Sequence, residues 1–131
     1  MSQINENCNY TKEHEWIRKE DNSEFFLVGL TDFAQDQLGD VVFVELPEVG
    51  AEVKQGKAFG VVESVKTASD LLAPVSGEVV AINDSLENEP HNVNESPYEN
   101  GWMIKIKVTN EKEFESLLSP SVYADLIAEN E

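Results

Sequence analysis

The segment "FGVVESVKTASDLLAP" constrains this chain more than any other. A strand through Phe59, Val61 and Glu63 and a return strand in "SDLLAP" meet at Ser64-Val65-Lys66-Thr67, so the two apolar runs are expected to form a hairpin inside a mainly β fold. The joint contains no Gly, Asn, Asp or Pro, the residues that tolerate or pre-set the backbone of tight turns. A β-branched valine and a lysine stand at the tip instead. That lysine is isolated: Lys54 and Lys57 precede it, and no other Lys or Arg follows until Lys105. A lysine near a sheet edge ordinarily guards against edge-to-edge association. Breaks in local sequence rules are, however, expected where function dictates the residue. One long side chain on a stiff apolar stalk suits covalent attachment of a carried group.

The rest of the chain reads as further short strands with little helix. "EHEWIRKE" (13–20) and "EFFLVGL" (24–30) flank "DNS" as a hairpin. "LTDFAQDQLG" predicts a short helix, with Thr31 as its cap, Asp32 at its positive end and Gly39 as its left-handed stop. "VVFVEL" (41–46) reads as a buried strand closed by Pro47, and Gly50 and Gly56 bracket a brief strand near Val53. "SGEVVAIN" (76–83) and "GWMIKIKV" (101–108) are strands, separated by a polar loop with one helical turn at Ser85–Glu89. The C-terminal part predicts helix. Asn110 and Glu113 fit a capping box, and Ser119-Pro120 restarts a helix with Val122, Leu126 and Ile127 on one stripe. "GDVVFVEL" (39–46) and "GEVVAIND" (77–84) echo each other, as two similar units related by a pseudo-twofold would.

At 131 residues the chain predicts a single domain, 1–131. Residues 1–9 read as a flexible N-terminus, 10–108 as the β core with the lysine hairpin at 64–67, and 110–131 as a C-terminal helical segment. Nine Lys and Arg against 26 Asp and Glu give a net charge of −17. No basic cluster is present for phosphate contacts, so neither nucleic acid nor anionic membrane is an expected partner. The acidic excess favours solubility and steers the protein towards basic patches on partners. Cys8, the only cysteine, forms no intramolecular disulfide and suits a reducing compartment. In the polar stretch "NENCNY" it reads as an incidental surface thiol. His14 and His91 fall in no metal-ligand spacing, and Trp16 and Trp102 read as core or rim packing. "MSQINENCNY" resembles neither a secretory signal nor a transit peptide, which predicts a cytoplasmic protein of a bacterium or a mature mitochondrial one.

The blocks "YTKEHEWI", "GLTDFAQDQLGDVVFVELPEVG", "FGVVESVKTASDLLAPVSGEVV" and "VNESPYENGWMIKIK", followed by the acidic helical tail, closely resemble the H-protein family of the glycine cleavage system, from about Tyr10 to about Tyr123. The resemblance implies a flattened β-sandwich, the barrel-sandwich hybrid of lipoyl and biotinyl carriers, with a C-terminal helical extension. "ESVK" is similar to that family's lipoylation site, which implies lipoic acid in amide linkage to Lys66; Thr67 stands where members often have Ala. The implied role is that of a monomeric carrier, not an enzyme. It would take an aminomethyl group from a pyridoxal-phosphate glycine decarboxylase and deliver it to a tetrahydrofolate-dependent aminomethyltransferase. A flavin-containing (FAD) dihydrolipoamide dehydrogenase would then reoxidise it. A lipoate ligase or lipoyl transferase would read the hairpin through Glu63, Ser64 and Val65. By position within the family motifs, Glu15 in "HEW" and Asp70 in "TASD" are candidates to hold the protonated amine of the loaded arm. Tethering raises the arm's effective concentration at each partner. Amide formation removes the lysine charge, so the arm can lie on apolar surface without desolvating an ammonium. The alternatives are a relay that donates lipoyl groups to other lipoyl domains and a different swinging-arm carrier. A biotin carrier would have Met on both sides of its lysine, where this chain has Val65 and Thr67. The lipoyl domains of 2-oxo-acid dehydrogenases are shorter, carry an acid before the lysine and lack the helical tail.

Overall fold

The computed structural model describes residues 3–129. Along the chain come β1 (Asn9–Tyr10), β2 (Glu15–Lys19), β3 (Phe26–Leu30), α1 (Asp32–Leu38), β4 (Val41–Glu45), β5 (Glu52–Val53), β6 (Ala58–Ser64) and β7 (Ala68–Leu72). Then follow β8 (Gly77–Ile82), α2 (Ser85–Asn88), α3 (Asn92–Glu95), β9 (Ile104–Val108), a 3-10 helix (Glu111–Ser116) and α4 (Pro120–Ala128). The strands form a six-stranded sheet, β1-β2-β3-β9-β8-β5, and a three-stranded sheet, β4-β6-β7, with the lysine hairpin as two of its strands.

Every pairing between these named strands is antiparallel, so the connections can be short. The β2–β3 hairpin turns where expected, with Asn22 supplying a left-handed residue at φ 60°. Thr31 caps α1 by accepting a hydrogen bond from Ala34 N at 3.2 Å, and Gly39 ends the helix at φ 81°. The core falls into three groups. Ile17, Val28, Val75, Val79, Ile104 and Ile106 form the interior along the larger sheet. Leu30, Leu38, Val41, Val44, Val62 and Leu71 join α1 to the smaller sheet. Tyr10, Trp16, Phe33, Tyr98, Tyr123 and Ile127 form an aromatic group that docks α4.

The repeated "GxVV" motif has a structural counterpart. In β4 the register shifts between Val41 and Phe43, and in β8 between Val79 and Ala81. Aligning Gly39 with Gly77 puts Val42 and Val80 at the same place, so both echoed strands carry an irregularity at the same step, one in each sheet. In β4 the consequence is that Val42 and Phe43 both face outward, 55% and 46% exposed, where strict alternation would bury one of them.

Three expectations are corrected. Cys8 is not a surface thiol: it is 2% exposed, and burial pushes it up to about 11. The polar stretch around it folds back, with Asn5 N donating to Tyr10 Oη at 2.8 Å and Tyr10 Oη donating to Asn5 O at 2.7 Å. Second, the 84–100 loop contains another helical turn, α3, because Val93 is wholly buried and draws the backbone inward. Third, Glu113 does not reach back as a capping-box residue. Its carboxylate accepts from Ser76 N and from Ser76 Oγ, and the segment closes as a 3-10 helix with Asn110 accepting from Lys112 N.

Candidate functional site

The hairpin tip closes without a residue in the left-handed region. Among the described residues the non-glycine positions with positive φ are His14 and Asn22, neither of them at the tip. Ser64 takes the role that Gly or Asn usually fills. Its hydroxyl accepts from Lys66 N and from Thr67 N, both at 3.2 Å, and donates to Thr67 O at 3.2 Å, while Ser64 N donates to Thr67 O at 2.8 Å. Val65 N donates to Asp40 O at 3.0 Å, which fastens the tip to the α1–β4 junction. Val65 itself is 68% exposed, and Lys66 and Glu63 are exposed beside it.

Gly39 cradles the lysine stem. A Cβ built on it would stand 3.3 Å from Lys66 Cε and 3.8 Å from Nζ, so the stem lies across the one residue of this junction that has no side chain. The junction is pinned by Asn94 of α3, whose Oδ1 accepts from Val41 N at 2.8 Å. Its Nδ2 donates to Gly39 O at 2.8 Å and to Gln35 Oε1 at 2.9 Å. Further down the stalk, Gly60 lets β4 approach, since a Cβ there would meet Glu45 O at 2.2 Å.

Below the tip, between β2, α1 and the β6–β7 hairpin, lies a cleft of about 190 Å³. Leu30, Leu38 and Val62 contribute its apolar surface; His14, Glu15 and Asp70 are among its polar residues. Glu15 and Asp70 are thus brought to one cleft, whereas Glu63, Ser64, Val65 and Lys66 are grouped at the tip. β6 joins the two groups, since Val62 faces the cleft two residues before Ser64.

The two acids differ in setting. Asp70 is exposed. Glu15 is 2% exposed, and burial, only partly offset by hydrogen bonds, pushes its carboxyl up to about 7. Oε1 accepts from Thr11 Oγ1 at 2.9 Å and Oε2 accepts from Leu72 N at 3.2 Å, so this carboxylate ties β2 of the larger sheet to β7 of the smaller one. Trp16 is wholly buried and donates through Nε1 to Leu30 O and Pro97 O at 2.9 and 3.0 Å, which makes it a core residue. His91 is exposed, 4.0 Å from Glu95. His14, read from its sequence only as lacking metal-ligand spacing, lines the cleft. Its distinguishing feature is a positive φ of 72°, which histidine adopts more readily than most non-glycine residues but which its neighbours in "KEHEW" do not announce.

The family model described as "Glycine cleavage H-protein" matches residues 8–130. A glycine cleavage system H protein of Oceanobacillus iheyensis is 60% identical over 118 residues, covering 90% of this chain and 92% of that protein. One from Carboxydothermus hydrogenoformans is 53% identical over 129 residues, covering 98% of each chain. The crystal structure of a glycine cleavage system H protein from Mycobacterium marinum superposes with a TM-score of 0.85 at 39% identity, over 95% of this chain and 99% of that one.

Proposed function

The chain belongs to the glycine cleavage H-protein family, and from that premise we propose that its working group is a lipoyl arm in amide linkage to Nζ of Lys66. As a member of the family the protein is a lipoyl carrier of glycine cleavage with the barrel-sandwich fold. The observation that carries the assignment to Lys66 is the built mounting of this one lysine. It has a tip closed by the Ser64 hydroxyl, a fastening to Asp40 O and a side-chain-free cradle at Gly39. A lysine serving only solubility has no use for such a mounting.

When attached, the group supplies a dithiolane that can accept both a one-carbon unit and electrons. The residues of this chain do the rest. Ser64 and Asp40 hold the tip with the Lys66 stem laid across Gly39, and Glu63, Ser64 and Val65 are the features a lipoate ligase or lipoyl transferase reads. The cleft shields a returned arm from water along Leu30, Leu38 and Val62, while Glu15 and Asp70 accept hydrogen bonds from its protonated amine. Residues 1–131 act as one monomeric, non-catalytic carrier unit in the bacterial cytoplasm. The partners are the glycine decarboxylase, the aminomethyltransferase and dihydrolipoamide dehydrogenase. The exposed Val42, Phe43 and Val65 beside the lysine give such partners apolar surface to meet.

Expression with lipoate followed by intact-mass measurement and peptide mapping tests the assignment. A lipoyl increment at Lys66, absent from Lys66→Arg, is the expected result, together with loss of glycine decarboxylation in a reconstituted system. An unmodified chain, or a Lys66→Arg variant that supports the reaction fully, would end the proposal.

A further inference from the structure

His14 is a cleft residue that the carrier reading leaves without a task. Its backbone sits at φ 72°, a conformation that non-glycine residues seldom adopt and that persists only where surroundings enforce it. The enforcement is visible. His14 N donates to Thr11 O and His14 O accepts from Thr31 N, both at 3.1 Å. The imidazole packs on Phe33 with centroids 4.7 Å apart. Its Nδ1 lies 2.8 Å from Oη of Tyr123 on the C-terminal helix α4. Tyr123, wholly buried and stacked on Tyr10 at 4.3 Å, has its Oη 2.7 Å from Thr31 Oγ1.

Counting protons along this chain orders it. Thr31 Oγ1 already accepts from Ala34 N at the start of α1. Thr31 is wholly buried, and Tyr123 Oη is the acceptor within reach of its hydroxyl proton. The Thr31 hydroxyl therefore donates to Tyr123 Oη, and the Tyr123 hydroxyl donates onward to His14 Nδ1. The imidazole then keeps its proton on Nε2. Burial lowers the affinity of His14 for a second proton, which is consistent with a neutral ring.

We propose that Tyr123 is a positioning residue of the arm cleft: it holds His14 in the Nε2–H form, so that the ring offers a neutral hydrogen-bond donor to an acceptor atom of the carried arm, its amide oxygen or a sulfur. This rests on the carrier reading and adds a division of labour to it. Ionised, Glu15 and Asp70 are acceptors suited to an ammonium, and Glu15 donates only when protonated. The neutral imidazole joins the Gln37 amide and the Ser69 hydroxyl as a donor on the cleft, and it is the one whose proton is placed by α4. It also gives α4, whose own residues do not line the cleft, a part in retaining the arm.

Two variants separate this role from folding. Tyr123→Phe keeps the ring that stacks on Tyr10 and deletes the hydroxyl. His14→Asn deletes the imidazole but keeps a residue that tolerates the left-handed backbone. The first measurement is two-bond 15N–1H correlation of the histidine ring in the unlipoylated protein. The parent should show His14 protonated at Nε2 with a bare Nδ1, and Tyr123→Phe should show a mixture of tautomers. The second is the lifetime of the aminomethyl adduct on the lipoylated protein, followed by intact mass. His14→Asn should shorten it by about threefold to tenfold, roughly the worth of one hydrogen bond, and Tyr123→Phe, which leaves part of the population as Nε2–H, by less. The double variant should lose no more than His14→Asn alone. A parent protonated at Nδ1, or lifetimes equal to the parent's in both variants, overturns the proposal. Failure of the carrier reading registers separately, as absence of any lipoyl mass on Lys66, and takes this inference with it.

Discussion

Replacing Glu15 with Gln should stabilise the protein in alkaline solution and leave it unchanged in acid. Glu15 is 2% exposed and its carboxyl stands at about 7, against an ordinary 4.5, chiefly because burial penalises the ion. A raised acid of this kind stabilises the fold in its protonated form. The contribution is fully present below pH 4.5, where folded and unfolded chains both carry the proton. It is lost as the pH rises through about 7, because the unfolded chain ionises first. The gap between 4.5 and about 7, at roughly 1.4 kcal/mol per pH unit, amounts to roughly 3 kcal/mol. Gln fits the existing partners: its oxygen can accept from Leu72 N, and its amide can donate to Thr11 Oγ1. Urea unfolding of parent and variant at steps from pH 4 to pH 8 reads the difference directly, since every other titrating group is common to both. The variant should match the parent near pH 4 and exceed it by about 2–3 kcal/mol near pH 8. Stability curves that run parallel over that range, or a Glu15 carboxyl that titrates near 4.5 by 13C NMR, would refute the reasoning.

The mounting of the lysine gives further expectations. Gly39→Ala forces a side chain onto φ 81°, ψ −161° and into the lysine stem. It should cost about 1–3 kcal/mol in urea unfolding and slow lipoylation of Lys66, whereas an unchanged stability would mean that the junction relaxes freely. Ser64→Ala removes the acceptor used by Lys66 N and Thr67 N. Amide exchange at residues 66 and 67 should accelerate about tenfold, for a loss of roughly 1–1.5 kcal/mol of local protection; exchange at parental rates would show that the hydroxyl does not hold the tip. Asn94→Ala leaves Val41 N, Gly39 O and Gln35 Oε1 without their partner. Its expected cost is about 2–3 kcal/mol by thermal or urea unfolding, and a loss below about 0.5 kcal/mol would place it with ordinary surface changes.

What could be read from the sequence followed how local each signal is. The α1 cap at Thr31, the left-handed stop at Gly39 and the β2–β3 hairpin depend on neighbours a few residues apart, and each appears where its residues predicted it. Lys66 stands out because its turn lacks ordinary turn residues, and "ESVK" within the family blocks is similar to the family's lipoylation site. Long-range satisfaction was not legible. Nothing in "NENCNY" announces that Asn5 will exchange hydrogen bonds with Tyr10 and draw Cys8 under cover. Glu113 sits at capping-box spacing, but the turn at Ser76 competes for the same carboxylate and takes it. His14 reads in the sequence only as lacking metal-ligand spacing, for a related reason: its hydrogen-bond partner Tyr123 lies 109 residues away.

The missing turn residues at the tip bear on the cleft as well. In β6–β7, Glu63 pairs with Ala68, Val62 with Ser69 and Val61 with Asp70. Side chains alternate faces along a strand, so this register puts Ser69 on the face of Val62 and Asp70 at the next step, both lining the cleft, and a slip of one residue would exchange their faces. A glycine-rich tip could close in several ways and would leave that register weakly specified. The Ser64 hydroxyl reaches the amides of Lys66 and Thr67 in this register, and the Asp40 carbonyl receives Val65 N in this register. The contacts that set Lys66 at the end of its stalk are therefore the contacts that set Asp70 in the cleft. A tip built from ordinary turn residues could still display a lysine, but it would not fix how Ser69 and Asp70 line the cleft.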